Sequence, residues 1–252
     1  PGIRRPDVWV AFTPDEETGR GVERFPYDKF GAKLAYTLDG GVLAELSEET
    51  FNALNGVVTI EGVSAHTGTA RGKMVNALHL AAQLISWIPA YSRPETTLGR
   101  EGFIHPNEIQ GNVEKASIKI LIRDFDSQML ETRKAAFMTM LELLEASHPG
   151  SKVRFTPRGG YRNMKERLDT DPRATGLAIK AMQLAGLTPV VEPIRGGTDG
   201  ARMTYEGVLT PNLFTGAGDV HSRGEWACVQ WMDDAVKVVV NLVRLWAEQD
   251  HA

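Results

Sequence analysis

The sequence is short of cysteine, of long apolar runs and of any large excess of charge. Its one cysteine, Cys228, excludes an internal disulfide framework and any zinc site built from cysteines, and it fits a reducing compartment, although a secreted protein can also lack disulfides. Across 252 residues, 28 Lys and Arg stand against 32 Asp and Glu, a formal net charge of −4. That mild acidity gives no electrostatic reason to bind nucleic acid or an anionic membrane surface. Near the start the longest apolar run is Val8–Phe12, too short for a signal-peptide core or a membrane span. The richest later stretch, 74–90, is broken by Asn76, His79, Gln83 and Ser86. Neither GxGxxG nor GxxxxGK[ST] occurs, which disfavours a nucleotide-binding protein, and without a GxSxG elbow a serine hydrolase is poorly supported. A hydrophobic share of 42% with 24% charged residues matches ordinary globular chains and excludes disorder.

What is present reads as α/β at both ends, with a different texture between. Val8–Phe12 has no polar alternation, as expected of a strand buried on both faces. The turn Thr13-Pro14-Asp15-Glu16-Glu17 suits a helical first turn, and Lys33–Leu38 is a second strand closed by Asp39-Gly40-Gly41. From about residue 52 the pattern predicts strands at 56–62, 102–110, 113–124 and 152–156, with helices over 73–88 and 127–147, the latter capped by Ser127. This β-α-β-β-α-β order is the ferredoxin-like arrangement. After it come a helix over 171–185, a strand over 189–194, a Gly-rich loop leading to a short helix, a strand over 212–215 and a helix over 231–249. That last helix carries Val236, Val239, Val240 and Val243 on one side. The expected architecture is α/β with a parallel-rich sheet, residues 1–51 and 163–252, interrupted by an inserted α+β sandwich at 52–162.

Several residues carry possible chemistry, each with a plainer reading beside it. Asp15, Glu16 and Glu17 crowd three carboxylates at the carboxyl end of a presumed strand, where α/β sheets place their sites; alternatively they offset a helix macrodipole. Asp39 ends the neighbouring strand or merely serves the turn, and His221 lies in a Gly-rich loop as a ligand or as a solvated side chain. His66, in Ser64-Ala65-His66-Thr67-Gly68, is a substrate donor or a loop histidine tied to its own backbone. Arg195 fits a substrate carboxylate or a surface ion pair. Asp199 is read as the cap of the following helix, and Cys228 as packed. His79, His105, His148 and His251 receive no role.

The segments AFTPDEETGRG (11–21), YTLDGG (36–41), GVSAHTGTARGKMVNA (62–77), IRGGTDGA (194–201) and NLFTGAGDVH (212–221) resemble the peptidase T family. Its members are cytoplasmic tripeptide aminopeptidases within the cocatalytic-zinc exopeptidase superfamily. The resemblance implies two zinc ions, Glu16 as general base, and Glu17, Asp39 and His221 as zinc ligands. It also implies His66 as an oxyanion donor, Arg195 as the anchor of the peptide carboxylate, and Asn112 and Arg123 as further substrate contacts. The inserted sandwich would be a lid through which the protein forms a homodimer. The superfamily's first ligand, a histidine in a His-x-Asp motif, and its bridging aspartate lie upstream of the Glu-Glu pair. Here the chain starts at Pro1-Gly2 without Met, and no histidine precedes His66. The resemblance is therefore to a C-terminal portion, with three of five ligands, and this chain alone is expected to be inactive or nearly so. A related zinc amidohydrolase or dipeptidase, and a non-catalytic dimerising peptide-binding remnant, are the competing readings.

Overall fold

The computed structural model describes residues 5–249. In chain order the strands and helices begin β1 (Thr37–Leu38), β2 (Glu45–Ser47), β3 (Asn52–Glu61), α1 (Ala77–Trp87), β4 (Phe103–Gly111), β5 (Lys115–Asp124), α2 (Ser127–Ser147) and β6 (Lys152–Tyr161). They continue with α3 (Lys165–Leu168), α4 (Arg173–Leu184), β7 (Val190–Val191), α5 (Asp199–Tyr205), β8 (Asn212–Leu213), β9 (Ala217–Gly218), β10 (Trp226–Ala227) and α6 (Val229–Gln249). Two compact units result: Phe51–Arg162, and the chain up to Thr50 together with the chain from Asn163 onward. No helix among the described residues is long and apolar enough to cross a membrane.

The unit Phe51–Arg162 is a four-stranded sheet in the order β4-β5-β3-β6, every neighbour antiparallel, which is the split βαβ arrangement. Strand β5 shows why: Ala116, Ile118, Ile120 and Ile122 alternate with more exposed residues and turn one face inward. Leu80, Ala81 and Leu84 of α1 and Phe137, Leu141 and Leu144 of α2 close over that face. Pro106 sits in the edge strand beside a register shift, where its missing N–H breaks no ladder. Two ends differ from the sequence expectation. Helix α1 starts at Ala77 rather than 73, because Val75 is drawn into a two-way backbone bridge with Val63 and Asn76 caps the helix through Leu78 N. Helix α2 is capped by Asp126, whose Oδ1 accepts from Met129 N at 2.8 Å, and not by Ser127.

The other unit has a mixed sheet in the order β1-β8-β2-β7. The pairs β1–β8 and β2–β7 are parallel, and β2–β8 is antiparallel. Leu46, Leu213 and Phe214 from this sheet pack with Leu177, Ala181 and Met182 of α4 and Val238, Leu242 and Leu245 of α6. The strand expected at Val8–Phe12 does not form: the segment pairs with no strand among the described residues, and Val10 and Phe12 are 74% and 95% exposed. A run apolar on both sides needs neighbours on both sides; here Trp9 packs edge-to-face on Phe30 while Val10 and Phe12 stay open to solvent. The burial of α6 selects a face that its valine spacing does not name. Ala235, Val238, Leu242 and Leu245 face the core, whereas Val229, Met232, Val236 and Val240 form an exposed stripe. The helix is apolar on more than one side, so valine spacing alone selects no face.

Tyr36 ties this core together, donating from its hydroxyl to Ala174 O at 2.8 Å and accepting from Trp246 Nε1 at 3.1 Å. Burial pushes its phenol above the ordinary value of 10. A raised folded-state value means that the native protein holds the proton more tightly than the unfolded chain. Its stabilising contribution is therefore whole below pH 10 and is lost as the pH rises beyond it. Tyr36→Phe, which strands both partners, should cost about 1–3 kcal/mol in a urea titration followed by tryptophan fluorescence, and should flatten the alkaline loss. An unchanged alkaline limb would remove Tyr36 as its source.

Candidate active site

The segment after the exposed lead-in folds into a tight turn and not into a helix. Glu16–Thr18 is a single 3₁₀ turn, with Gly19 N donating to Glu16 O at 2.6 Å and Arg20 N to Asp15 O at 3.1 Å. So short a turn has little dipole to offset, which weakens the macrodipole explanation of the acids. Asp15 enters the turn with φ 62°, a left-handed conformation that a non-glycine residue rarely adopts. Across from it, Asp219 and His221 are also left-handed, at φ 51° and 62°. These outliers bring together two side chains distant in sequence: His221 Nε2 lies 2.8 Å from Glu17 Oε2, both side chains 74% exposed. At that exposure the pair contributes at most about 1 kcal/mol to stability, so its geometry is not explained by folding energy.

Asp39 stands at the end of β1, its peptide N–H reaching Leu213 O at 3.3 Å and its carbonyl accepting from Asn212 Nδ2 at 2.9 Å. Gly40 and Gly41 follow at φ 64° and 82°, the sharp reversal that two glycines allow. Burial pushes the Asp39 carboxyl up, reinforced by Glu17 and Asp199 and opposed by His221. Glu16 feels the same neighbourhood more strongly: burial first, then Asp39, Asp199 and Glu17, push its carboxyl up to about 7, again with His221 opposing. Glu16, Glu17, Asp39 and His221 therefore sense one another in one unit.

The remaining expected residues have their own local settings. Arg195 is half-buried and follows Ile194, whose N–H donates to Glu49 O at 2.8 Å; Gly196 and Gly197 then lead toward α5. His66, Asn112 and Arg123 belong to the unit Phe51–Arg162. His66 caps a 3₁₀ turn by accepting at Nδ1 from Gly68 N at 3.2 Å, which leaves Nε2 as the donor. Asn112 Oδ1 accepts from the backbone of Glu114 and Lys115 in the β4–β5 turn, at 2.9 and 3.0 Å. Arg123 Nη1 donates to Ile122 O at 3.0 Å, and its guanidinium lies over the Tyr161 ring. Cys228 is half-buried, its thiol 3.3 Å from Gln230 Oε1. His251 lies outside the described residues. Sequence reasoning passed over Asp199. The α5 cap is Thr198, whose hydroxyl accepts from Ala201 N at 3.2 Å, and Asp199 is a buried carboxylate whose charge reaches both Glu16 and Asp39.

The donors are right in kind for zinc and short in number. Imidazole and carboxylate suit the ion, but a zinc site uses three or four protein ligands. Among the described residues no group of three or more His, Cys, Asp and Glu side chains is arranged to hold a metal ion. Glu17 and His221 make a pair that Asp39 influences but does not complete.

The fold is an α/β unit interrupted by a split βαβ sandwich. Residues 49–150 match the family model for the peptidase dimerisation domain. In fold the chain is similar to aminopeptidase PepT from Bacillus cereus (TM-score 0.76, 23% identity, 92% of this chain and 62% of that one). It is also similar to a tripeptidase from Staphylococcus aureus (TM-score 0.80, 19% identity, 94% of this chain and 63% of that one). In sequence it is 45% identical to peptidase T of Aeromonas hydrophila over 97% of its own length. The chain spans about 60% of the length of the curated relatives it matches. The resemblance read from the motifs therefore runs through nearly all of this chain, and peptidase T is what it resembles.

Proposed function

We propose that this chain carries part of the catalytic machinery of a zinc-dependent, cytoplasmic aminopeptidase that removes the N-terminal residue from tripeptides. The observation that supports this reading best is the meeting of Glu17 with His221 beside Glu16 and Asp39, in a chain 45% identical to a peptidase T. Glu16 is the general base: a carboxyl held near 7 takes and returns a proton around neutral pH, as hydrolysis requires. Glu17 and His221 are donors toward one metal and Asp39 toward the other. Arg195 anchors the peptide carboxylate, and His66 offers its Nε2 proton to the developing oxyanion. Asn112 and Arg123 are the weaker substrate contacts, since each is already engaged within its own unit. The unit Phe51–Arg162 supports homodimer formation, in line with the family model it matches.

The donors of this chain fall short of a zinc set, so the polypeptide by itself is expected to hydrolyse tripeptides poorly or not at all. Assayed with zinc, its turnover should lie at least about 10³-fold below that of the Aeromonas hydrophila relative. A chimera carrying this chain in place of the matching part of that relative should recover to within about tenfold. Full turnover by the chain alone would overturn the incomplete-site reading. A chimera that cleaves N-acyl amino acids in preference to tripeptides would transfer the site to the amidohydrolase reading. One that folds and binds zinc but cleaves neither substrate would mark a remnant.

A further inference from the structure

We infer that Asp199 is a positioning residue, its buried carboxylate pinning both ends of the loop 13–21 that presents Glu16 and Glu17. Asp199 is 5% exposed, and its Oδ2 accepts from Thr13 Oγ1 at 2.8 Å, which fixes the start of the loop. The far end is held by contact. A Cβ added to Gly21 would stand 2.1 Å from Oδ2 and 2.6 Å from Oδ1 of the same carboxylate, so only a glycine backbone can lie this close. The next residue, Val22, is buried with Met203 of α5 and with Val208, which seats the loop's exit on the element that carries Asp199. Arg202 reaches the tip as well, its Nη2 lying 3.5 Å from where a Cβ on Gly19 would stand.

Between these two pins the turn is closed by short local bonds, from Thr18 N, Thr18 Oγ1 and Arg20 N to Asp15 O and from Gly19 N to Glu16 O, and its Glu17 meets His221. The left-handed Asp15 that starts the turn is costly for a non-glycine residue and persists only if its surroundings impose it. Asp199 supplies that constraint from both sides. It acts through the loop and not on substrate, so it directs Glu17 toward His221 and leaves the chemistry to Glu16. The inference rests on the peptidase reading only for the importance of those two glutamates; the anchoring is a property of the fold.

The test uses the chain itself and no activity. Amide exchange within 13–21 and the ring ¹⁵N signals of His221 are followed at one fixed pH. Asp199→Ala should speed exchange at Thr18, Gly19 and Arg20 by roughly tenfold or more, because a hydrogen bond to a charged group is lost. It should also move the His221 ring signals toward those of Glu17→Ala. Asp199→Asn keeps an acceptor oxygen for Thr13 and should stay within about threefold of the parent. Gly21→Ala should loosen the loop, yet Gly21→Ala with Asp199→Ala should be no looser than Asp199→Ala alone, because the clash needs the carboxylate. Thr13→Val removes the hydroxyl without touching Asp199 and covers the case in which Asp199→Ala fails to fold; it should loosen the loop by a smaller factor. Parent-like exchange and ring signals in Thr13→Val, or in a folded Asp199→Ala, would overturn the inference. So would additive effects of the Gly21 and Asp199 changes. Because no hydrolysis is read, failure here is distinct from failure of the peptidase reading.

Discussion

Glu16→Gln, introduced into the active chimera, should slow tripeptide hydrolysis by about 10²–10⁴-fold while leaving KM and bound zinc close to the parent. The amide keeps the shape of the side chain and removes its ability to accept a proton. Glu16 is singled out by its surroundings: it is the residue of the acidic turn whose carboxyl is pushed to about 7, by burial and by Asp39, Asp199 and Glu17. Glu17→Gln in the same background should fail differently. It touches His221 directly, so metal content and activity should fall together. A loss at Glu16 smaller than about tenfold, or one accompanied by loss of zinc, would exchange the roles of the two neighbouring glutamates.

The largest stability effect is expected at Asp124, in the unit Phe51–Arg162. Its carboxylate is 5% exposed; Oδ2 meets Arg133 Nε at 2.6 Å and Oδ1 accepts from Asp126 N at 3.1 Å. Arg133 in turn donates from Nη1 to Ser92 Oγ at 2.9 Å. Asp124→Ala leaves a largely buried guanidinium uncompensated and also frees the backbone of Asp126, the residue that caps α2. Both losses fall on one element, and together they should cost about 3–5 kcal/mol in urea unfolding. Replacing Asp124 and Arg133 together by apolar residues should recover much of that loss, because the larger part of it is the stranded charge. A cost below 1 kcal/mol for Asp124→Ala would mean that water already screens the pair.

Much of the sandwich was legible because its signals are periodic and local. The alternation of Ile118, Ile120 and Ile122 gave β5 both its existence and its inward face, and the stretch before Pro149-Gly150 gave the end of α2. The unit built from the two flanking stretches of chain was harder. Val8–Phe12 looked like a strand because apolar runs usually are strands, but a strand exists only where a partner accepts its hydrogen bonds. Val236, Val239, Val240 and Val243 read as one side of a helix, but their spacing does not say which side meets the core: Val238 and Leu242 are buried, and Val236 and Val240 are exposed. At the site, the acidic turn, the Asp-Gly-Gly corner and the glycine-flanked histidine were each visible as letters. Their meeting was expected only through the family resemblance, since Glu17 and His221 are joined by paired left-handed turns that no spacing rule announces. Asp199 was mistaken for a cap because an acid before a helix commonly is one; its burial and its reach to Thr13 exist only in three dimensions.

The valine and methionine stripe along α6 has a practical consequence at the bench. Val229, Met232, Val236 and Val240 offer water a continuous greasy ridge on a helix that is otherwise well packed. A dye such as ANS has a place to adhere without any melting of the interior, so its fluorescence is a poor gauge of whether variants of this chain are folded. Near-ultraviolet circular dichroism, which follows the aromatic side chains directly, is the sounder gauge.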